Sequence, residues 1–228
     1  MPHAVDANAI LDRLAAARGG VRNSFDQIDP ARTAHLIVDM QNGFVEEGAP
    51  VEVPEARTVV DNINRISAAV REAGGLNLFI QFTTPADADQ SWSVMYQRLG
   101  AMSGPHKGAF QPGSHYWELW PGLDVDPRDR TVAKGRFSAF TPGTSDTNAI
   151  LREAGIETVI VTGTLTNVCC ESTARDAMQH NYQVIMVPDA NAALNNATHA
   201  ATLESLAFVF ADLRSTEEVE SLLAGVDP

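Results

Sequence analysis

A repeated pair, a short apolar run followed by a segment with helical spacing, constrains the fold of this chain more than any other feature. The first run, Ala34-His-Leu-Ile-Val-Asp39, shows no polar alternation and ends in a carboxylate, the pattern of a strand covered by helices on both faces. Residues 57–73 then place Val59, Val60, Ile63, Ile66, Ala69 and Val70 at three-and-four spacing, and Gly74-Gly75 ends the helix before a second strand, Leu76–Phe82. After a long gap the alternation resumes: strand Arg130–Lys134, helix 146–153, strand 158–162, helix 168–179, strand 183–187, helix 198–207, a short strand 209–213 and a last helix 215–223. Such βα repetition predicts an α/β, three-layer fold, with a parallel sheet flanked by helices and joined by right-handed crossovers. Ligands in such sheets bind beyond the carboxyl ends of the strands. The chain has 228 residues, enough for one such domain and too few for two sizeable ones. Residues 1–30 read as an appendage, a short helix around Ile10, Leu11 and Leu14 and then a polar linker, ahead of a domain over 31–228.

Charge narrows the partners. A formal net charge of -13 disfavours binding to nucleic acid or to an anionic membrane surface. The chain opens without a basic segment followed by an apolar one, and no apolar run approaches the roughly 18 residues that span a bilayer. A soluble cytoplasmic protein with a small-molecule substrate is expected. Its two cysteines, Cys169 and Cys170, are adjacent, which sets them apart from structural disulfides and predicts free thiols. All three tryptophans, Trp92, Trp117 and Trp120, lie between the second and third strands, in an excursion of the kind that builds a pocket.

Three residues capable of chemistry fall at strand ends on one edge of this sheet. Asp39 ends the first strand, Lys134 the third, and Cys169 begins the helix after the fourth. An acid, an amine and a thiol brought together there would make a cysteine nucleophile with its own base. Asn167 is a good N-cap, which would put Cys169 in a first helical turn whose free N–H groups and dipole favour a thiolate and could hold an oxyanion. Cys170, about 100° further round the helix, belongs to the core. Lys134 is one of only two lysines, and an ammonium can pair with a thiolate in a closed site. Asp39 could serve as the base or cap the turn that follows it. None of His3, His35, His106, His115, His180 and His199 sits at a predicted strand end; His35 reads as a core histidine, and the six show no metal-ligand spacing, so neither metal nor cofactor is expected.

The segments Leu36-Ile-Val-Asp39-Met-Gln-Asn-Gly-Phe44, Lys134-Gly-Arg-Phe-Ser-Ala-Phe140 and Val161-Thr-Gly-Thr-Leu-Thr-Asn-Val-Cys169-Cys-Glu-Ser-Thr-Ala-Arg-Asp-Ala177 resemble, in order and spacing, the isochorismatase-like cysteine hydrolases. The resemblance runs from about Thr33 to Leu213. It implies a six-stranded parallel sheet of Rossmann-like order and a triad with Asp39 as base, Lys134 supporting the charge and Cys169 as nucleophile. It also implies a non-proline cis peptide at Thr164-Leu165, which would aim the Leu165 N–H at the same point as the Cys169 N–H and complete an oxyanion hole. True isochorismatases, which cleave a vinyl ether, lack the cysteine. Nicotinamidases carry metal-binding Asp and His residues after the second strand, where this chain has Gln81-Phe-Thr-Thr-Pro-Ala-Asp87 without histidine. The resemblance therefore implies an amidohydrolase for an amide, ureido or N-carbamoyl group, closest in motif to the ureidoacrylate and N-carbamoyl amidohydrolases, and assembly as a homodimer or homotetramer. Vinyl-ether hydrolysis, nicotinamide hydrolysis and a ligand-binding domain without turnover are the alternatives. Phe44, Phe82, Trp117, Arg136 and Phe137 are the candidate substrate-binding residues.

Overall fold

The computed structural model describes residues 3–225. Its strands are β1 (Thr33–Val38), β2 (Leu76–Phe82), β3 (Arg130–Lys134), β4 (Thr158–Thr164), β5 (Gln183–Ala192) and β6 (Asp212–Leu213). They form one parallel sheet in the order β3-β2-β1-β4-β5-β6. The helices are α1 (Ala7–Ala17), α2 (Asn42–Val45), α3 (Val60–Glu72), α4 (Ala88–Ser91), α5 (Ser93–Leu99), α6 (Ser103–Ala109), α7 (Thr147–Glu153), α8 (Glu171–Gln179), α9 (Asn196–Val209) and α10 (Thr216–Leu223). This is the three-layer α/β fold expected from the sequence.

Strand residues alternate between two cores. Leu36 and Val38 join Val159, Val161 and Met186 under α1, α7, α8 and α9. Ile37 points the other way, with Ile160 and Ile185, toward α3 and α10. Burial on both faces of the central strands β1 and β4 explains the apolar runs at residues 36–38 and 159–161. The segment expected as an appendage is joined to the domain: Ile10 and Leu11 of α1 are buried in the same core, and the N–H groups of Ser24 and Phe25 donate to the buried Asp212 carboxylate at the edge of the sheet.

Several expected bounds shift. The strand expected over 158–162 continues to Thr164 and the one over 183–187 to Ala192, with the register slipping between Val161 and Gly163. Pro188 would end an ordinary central strand. Here the Asn191 side chain fills the irregularity, donating to the carbonyls of Val161 at 2.9 Å and Val187 at 2.8 Å. Val209, expected in a strand, ends α9. The excursion after β2 contains three short helices, α4, α5 and α6.

Candidate active site

The topology brings the three expected residues together. Asp39 directly follows β1, and its N–H donates to the Ile80 carbonyl of β2 at 2.8 Å. Its φ of 53° is left-handed, a conformation that aspartate adopts more readily than most non-glycine residues. Lys134 ends β3 in register with Phe82. Its Nζ donates to Asp39 Oδ2 at 2.8 Å and to the Arg136 carbonyl at 3.1 Å, and lies 4.9 Å from the centre of the Phe82 ring. Both side chains are fully buried, and Cys169 is 4% exposed. Asp39 Oδ1 is buried with no hydrogen-bond partner.

Cys169 sits in a π-helical turn, Thr166–Cys170, that leads into α8. Such turns widen the helix locally and are frequent at functional sites. The Leu165 carbonyl accepts from the N–H groups of Val168 at 3.1 Å and Cys170 at 3.2 Å, and the Thr164-Leu165 peptide is cis. Asn167 is not the cap: Leu165 holds that position, without a side-chain hydrogen bond. Cys170 is fully buried in the core, as expected.

The electrostatics correct the expectation of a resting thiolate. Burial, and then the Asp39 carboxylate, push the Cys169 thiol well up, against the pull of Lys134. Burial likewise raises the Asp39 carboxyl, although the Lys134 ammonium beside it restrains the rise. For Lys134 burial works against the charge, but Asp39 and Cys169 outweigh it and the amine is raised, so it remains an ammonium. Lys134 and Asp39 are thus paired at 2.8 Å beside a thiol that burial holds in its protonated form.

The candidate substrate-binding residues separate. Phe82 lies against the triad through Lys134. Trp117 ties the excursion to the strand ends: its carbonyl accepts from Gln41 Nε2 at 2.7 Å and Gln81 Nε2 at 2.9 Å, and its indole N–H donates to Thr83 at 2.9 Å. Arg136 donates to the carbonyls of Gly135 and Ser91 and stacks over Trp92, beside an open cavity of about 540 Å³ bordered by Thr83, Pro85, Ser91 and Gly135. Phe137 packs edge-on to Trp92. Phe44 is buried and stacked on Phe110, which in turn packs edge-on to Phe82.

Sequence reasoning missed two neighbours. Gln41 clamps the end of β2, donating to the Phe82 carbonyl at 3.0 Å and accepting its N–H at 2.8 Å; its place two residues after Asp39 was a signal. His106 of α6 is buried edge-on to Phe82, with burial and then Lys134 pushing it down to about 4. Nothing in Ser-Gly-Pro-His-Lys-Gly-Ala announced it. His35 has the satisfied core role expected, with ring nitrogens 3.1 Å from Ser67 Oγ and 2.7 Å from Thr162 Oγ1. Among the described residues no three His, Cys, Asp or Glu side chains gather as a cation site, and no helix is long and apolar enough to cross a membrane.

Comparison with known proteins agrees with this architecture. The isochorismatase domain family matches residues 33–218. An uncharacterized isochorismatase family protein of Bacillus subtilis is 33% identical over 191 residues, covering 84% of this chain and 94% of that protein. The ureidoacrylate amidohydrolase RutB of Variovorax paradoxus is 33% identical over 187 residues, covering 72% and 70%. Among solved structures, a cysteine hydrolase from Pseudomonas syringae pv. phaseolicola superposes with a TM-score of 0.79 at 27% identity, covering 89% of this chain and 97% of that one.

Proposed function

The chain belongs to the isochorismatase family and is a hydrolase of non-peptide C–N bonds; from that premise we propose that it cleaves a small amide, ureido or N-carbamoyl compound through a thioester on Cys169. The observation that carries this reading is the division of labour on Asp39. Oδ2 is held by the Lys134 ammonium while Oδ1 is buried and unpaired, so one carboxylate oxygen is free to accept a proton within a fixed frame.

In the proposed cycle the Cys169 thiol proton passes to Asp39 as Sγ attacks the substrate carbonyl carbon. The oxygen becomes an oxyanion, which the N–H groups of Leu165 and Cys169 stabilise. When the intermediate collapses, the C–N bond breaks and Asp39 returns the proton to the departing nitrogen, releasing ammonia or an amine. Water then attacks the thioester with Asp39 again as base, the C–S bond breaks and Sγ recovers its proton. Lys134 keeps the site electrostatically neutral or nearly so at each stage. A thiol that is protonated at rest suits this sequence, because the proton moves only when substrate is present to receive the sulfur.

Ammonia release from a panel of small amides and ureido acids tests the assignment. Turnover is expected to survive dialysis against a chelator, and rapidly quenched enzyme should carry an acyl or carbamoyl mass on the peptide containing Cys169. Turnover that persists in Cys169→Ala, an adduct on Cys170, or activity restored only by added zinc would overturn it.

A further inference from the structure

The turn that carries Cys169 is joined to a residue at the far end of the chain. Thr166, which opens the turn, is fully buried, and its Oγ1 lies 2.9 Å from Nδ1 of His199 on α9. His199 is 1% exposed, and its Nε2 has no well-formed hydrogen-bond partner. Burial and then His3 push this histidine down to about 3, with only the Pro188 carbonyl acting the other way. A neutral ring protonated at Nε2 leaves the Nδ1 lone pair to accept the Thr166 hydroxyl proton.

His3 covers the other side. Its ring stacks on that of His199, with centres 4.2 Å apart and planes 21° apart. The Ala193 N–H donates to His3 Nε2 at 2.9 Å, so that nitrogen presents its lone pair and Nδ1 carries the proton, which it donates to Asn196 Oδ1 at 2.8 Å. Both nitrogens of His3 are thereby committed to the loop that runs from β5 into α9. The segment behind it is anchored as well, through Arg13 to Glu204 and Arg18 to the carbonyls of Ala207 and Phe208. A hydrocarbon side chain at position 199 would fill the same space without leaving a buried nitrogen unsatisfied. The imidazole is therefore suited to the contact it makes with Thr166.

We propose that His3 and His199 are positioning residues, a brace from the N-terminal segment that fixes Thr166 and so holds the Cys169 turn in register with Asp39 and Lys134. The proposal rests on the reading of Cys169 as nucleophile. Without the brace the turn loosens, which should slow turnover and at the same time make the buried thiol easier to reach.

The test compares His3→Ala, Thr166→Val, His199→Leu and His199→Asn, whose amide oxygen can replace the Nδ1 acceptor. In the first three, iodoacetamide should label Cys169 at least about fivefold faster, and kcat on the best amide or ureido substrate should fall about tenfold with KM unchanged. His199→Asn should restore both, and combining Thr166→Val with His199→Leu should add little to either alone. Melting temperature is followed throughout, and His3→Ala removes a half-buried ring, so it remains informative if His199→Leu fails to fold. Wild-type labelling of Cys169 in His3→Ala, no rescue by His199→Asn, or additive effects would overturn the brace. Labelling needs no substrate, so a panel without turnover would count against the proposed reaction while leaving the brace to be decided by alkylation.

Discussion

Asp39 carries the greatest chemical demand of any single residue, because it must gain and lose a proton twice in each proposed turnover. Replacement by Asn removes that capacity while keeping the shape, and kcat should fall by about 10² to 10⁴, the usual contribution of general acid–base catalysis. Lys134 is equally specific in a different way. Its ammonium fits between Asp39 Oδ2, the Arg136 carbonyl and the face of Phe82, a space shaped for a compact charge. Lys134→Arg keeps the charge but not the fit, so steady-state assays should find no recovery of activity. Since burial raises the Asp39 carboxyl above its ordinary 3.8, and the base must be ionised to act, the acid limb of kcat/KM should lie above that value. An acid limb at or below 3.8 would remove Asp39 as the base.

Among the elements, β4 shows most sharply how closely this sheet is fitted around the site. Gly163 has a φ of 111°, and a Cβ there would meet the Val38 carbonyl oxygen at 2.1 Å. Val38 pairs with Gly163 in register and immediately precedes Asp39, so any side chain would push the base as well as the backbone. Gly163→Ala should destabilise the fold by about 3 kcal/mol or more, combining left-handed strain with overpacking, as read by urea unfolding; a loss under about 1 kcal/mol would refute the close approach. The limits of the sequence reading have the same local character. Strands buried on both faces were legible because residues such as Leu36 and Ile37 are apolar for two different cores. The places of Asp39 and Lys134 were legible because each sits where a strand ends, and that of Cys169 because it lies where the chain turns from β4 into the following helix. The continuation of β5 past Pro188 was not, because it depends on the Asn191 side chain satisfying carbonyls that a proline-containing strand leaves open. Nor was the resting state of Cys169: helix-start reasoning sees free N–H groups, whereas full burial beside Asp39 decides the protonation. α6 and its buried His106 lacked any periodic signal.

Across the molecule, three histidines are buried with depressed basicity: His35 to about 3, His106 to about 4 and His199 to about 3, in each case chiefly by burial. Unfolding returns them to about 6.5, so between roughly pH 6.5 and 4 the unfolded chain binds more protons than the folded one. Their contribution to stability is therefore present above pH 6.5 and is lost as pH falls. Asp39 and Asp212, raised by burial, act in the opposite direction, so the clean measurement is a difference. His35→Gln should reduce the dependence of unfolding free energy on pH between 5.5 and 4.5 by about one proton, or about 1.4 kcal/mol per pH unit. An unchanged slope would mean that His35 is not held neutral. The placement of the excursion between β2 and β3 has a longer-term consequence. Ala88, Met95 and Tyr96 of α4 and α5 form a small cluster of their own, joined to the two large cores only through rings packed on both, Phe137 on one side and Trp92 on the other. Heritable change at Ala88, Met95 or Tyr96 reaches the sheet only by way of those two rings, so this cassette should tolerate substitution more readily than the strands it rests on.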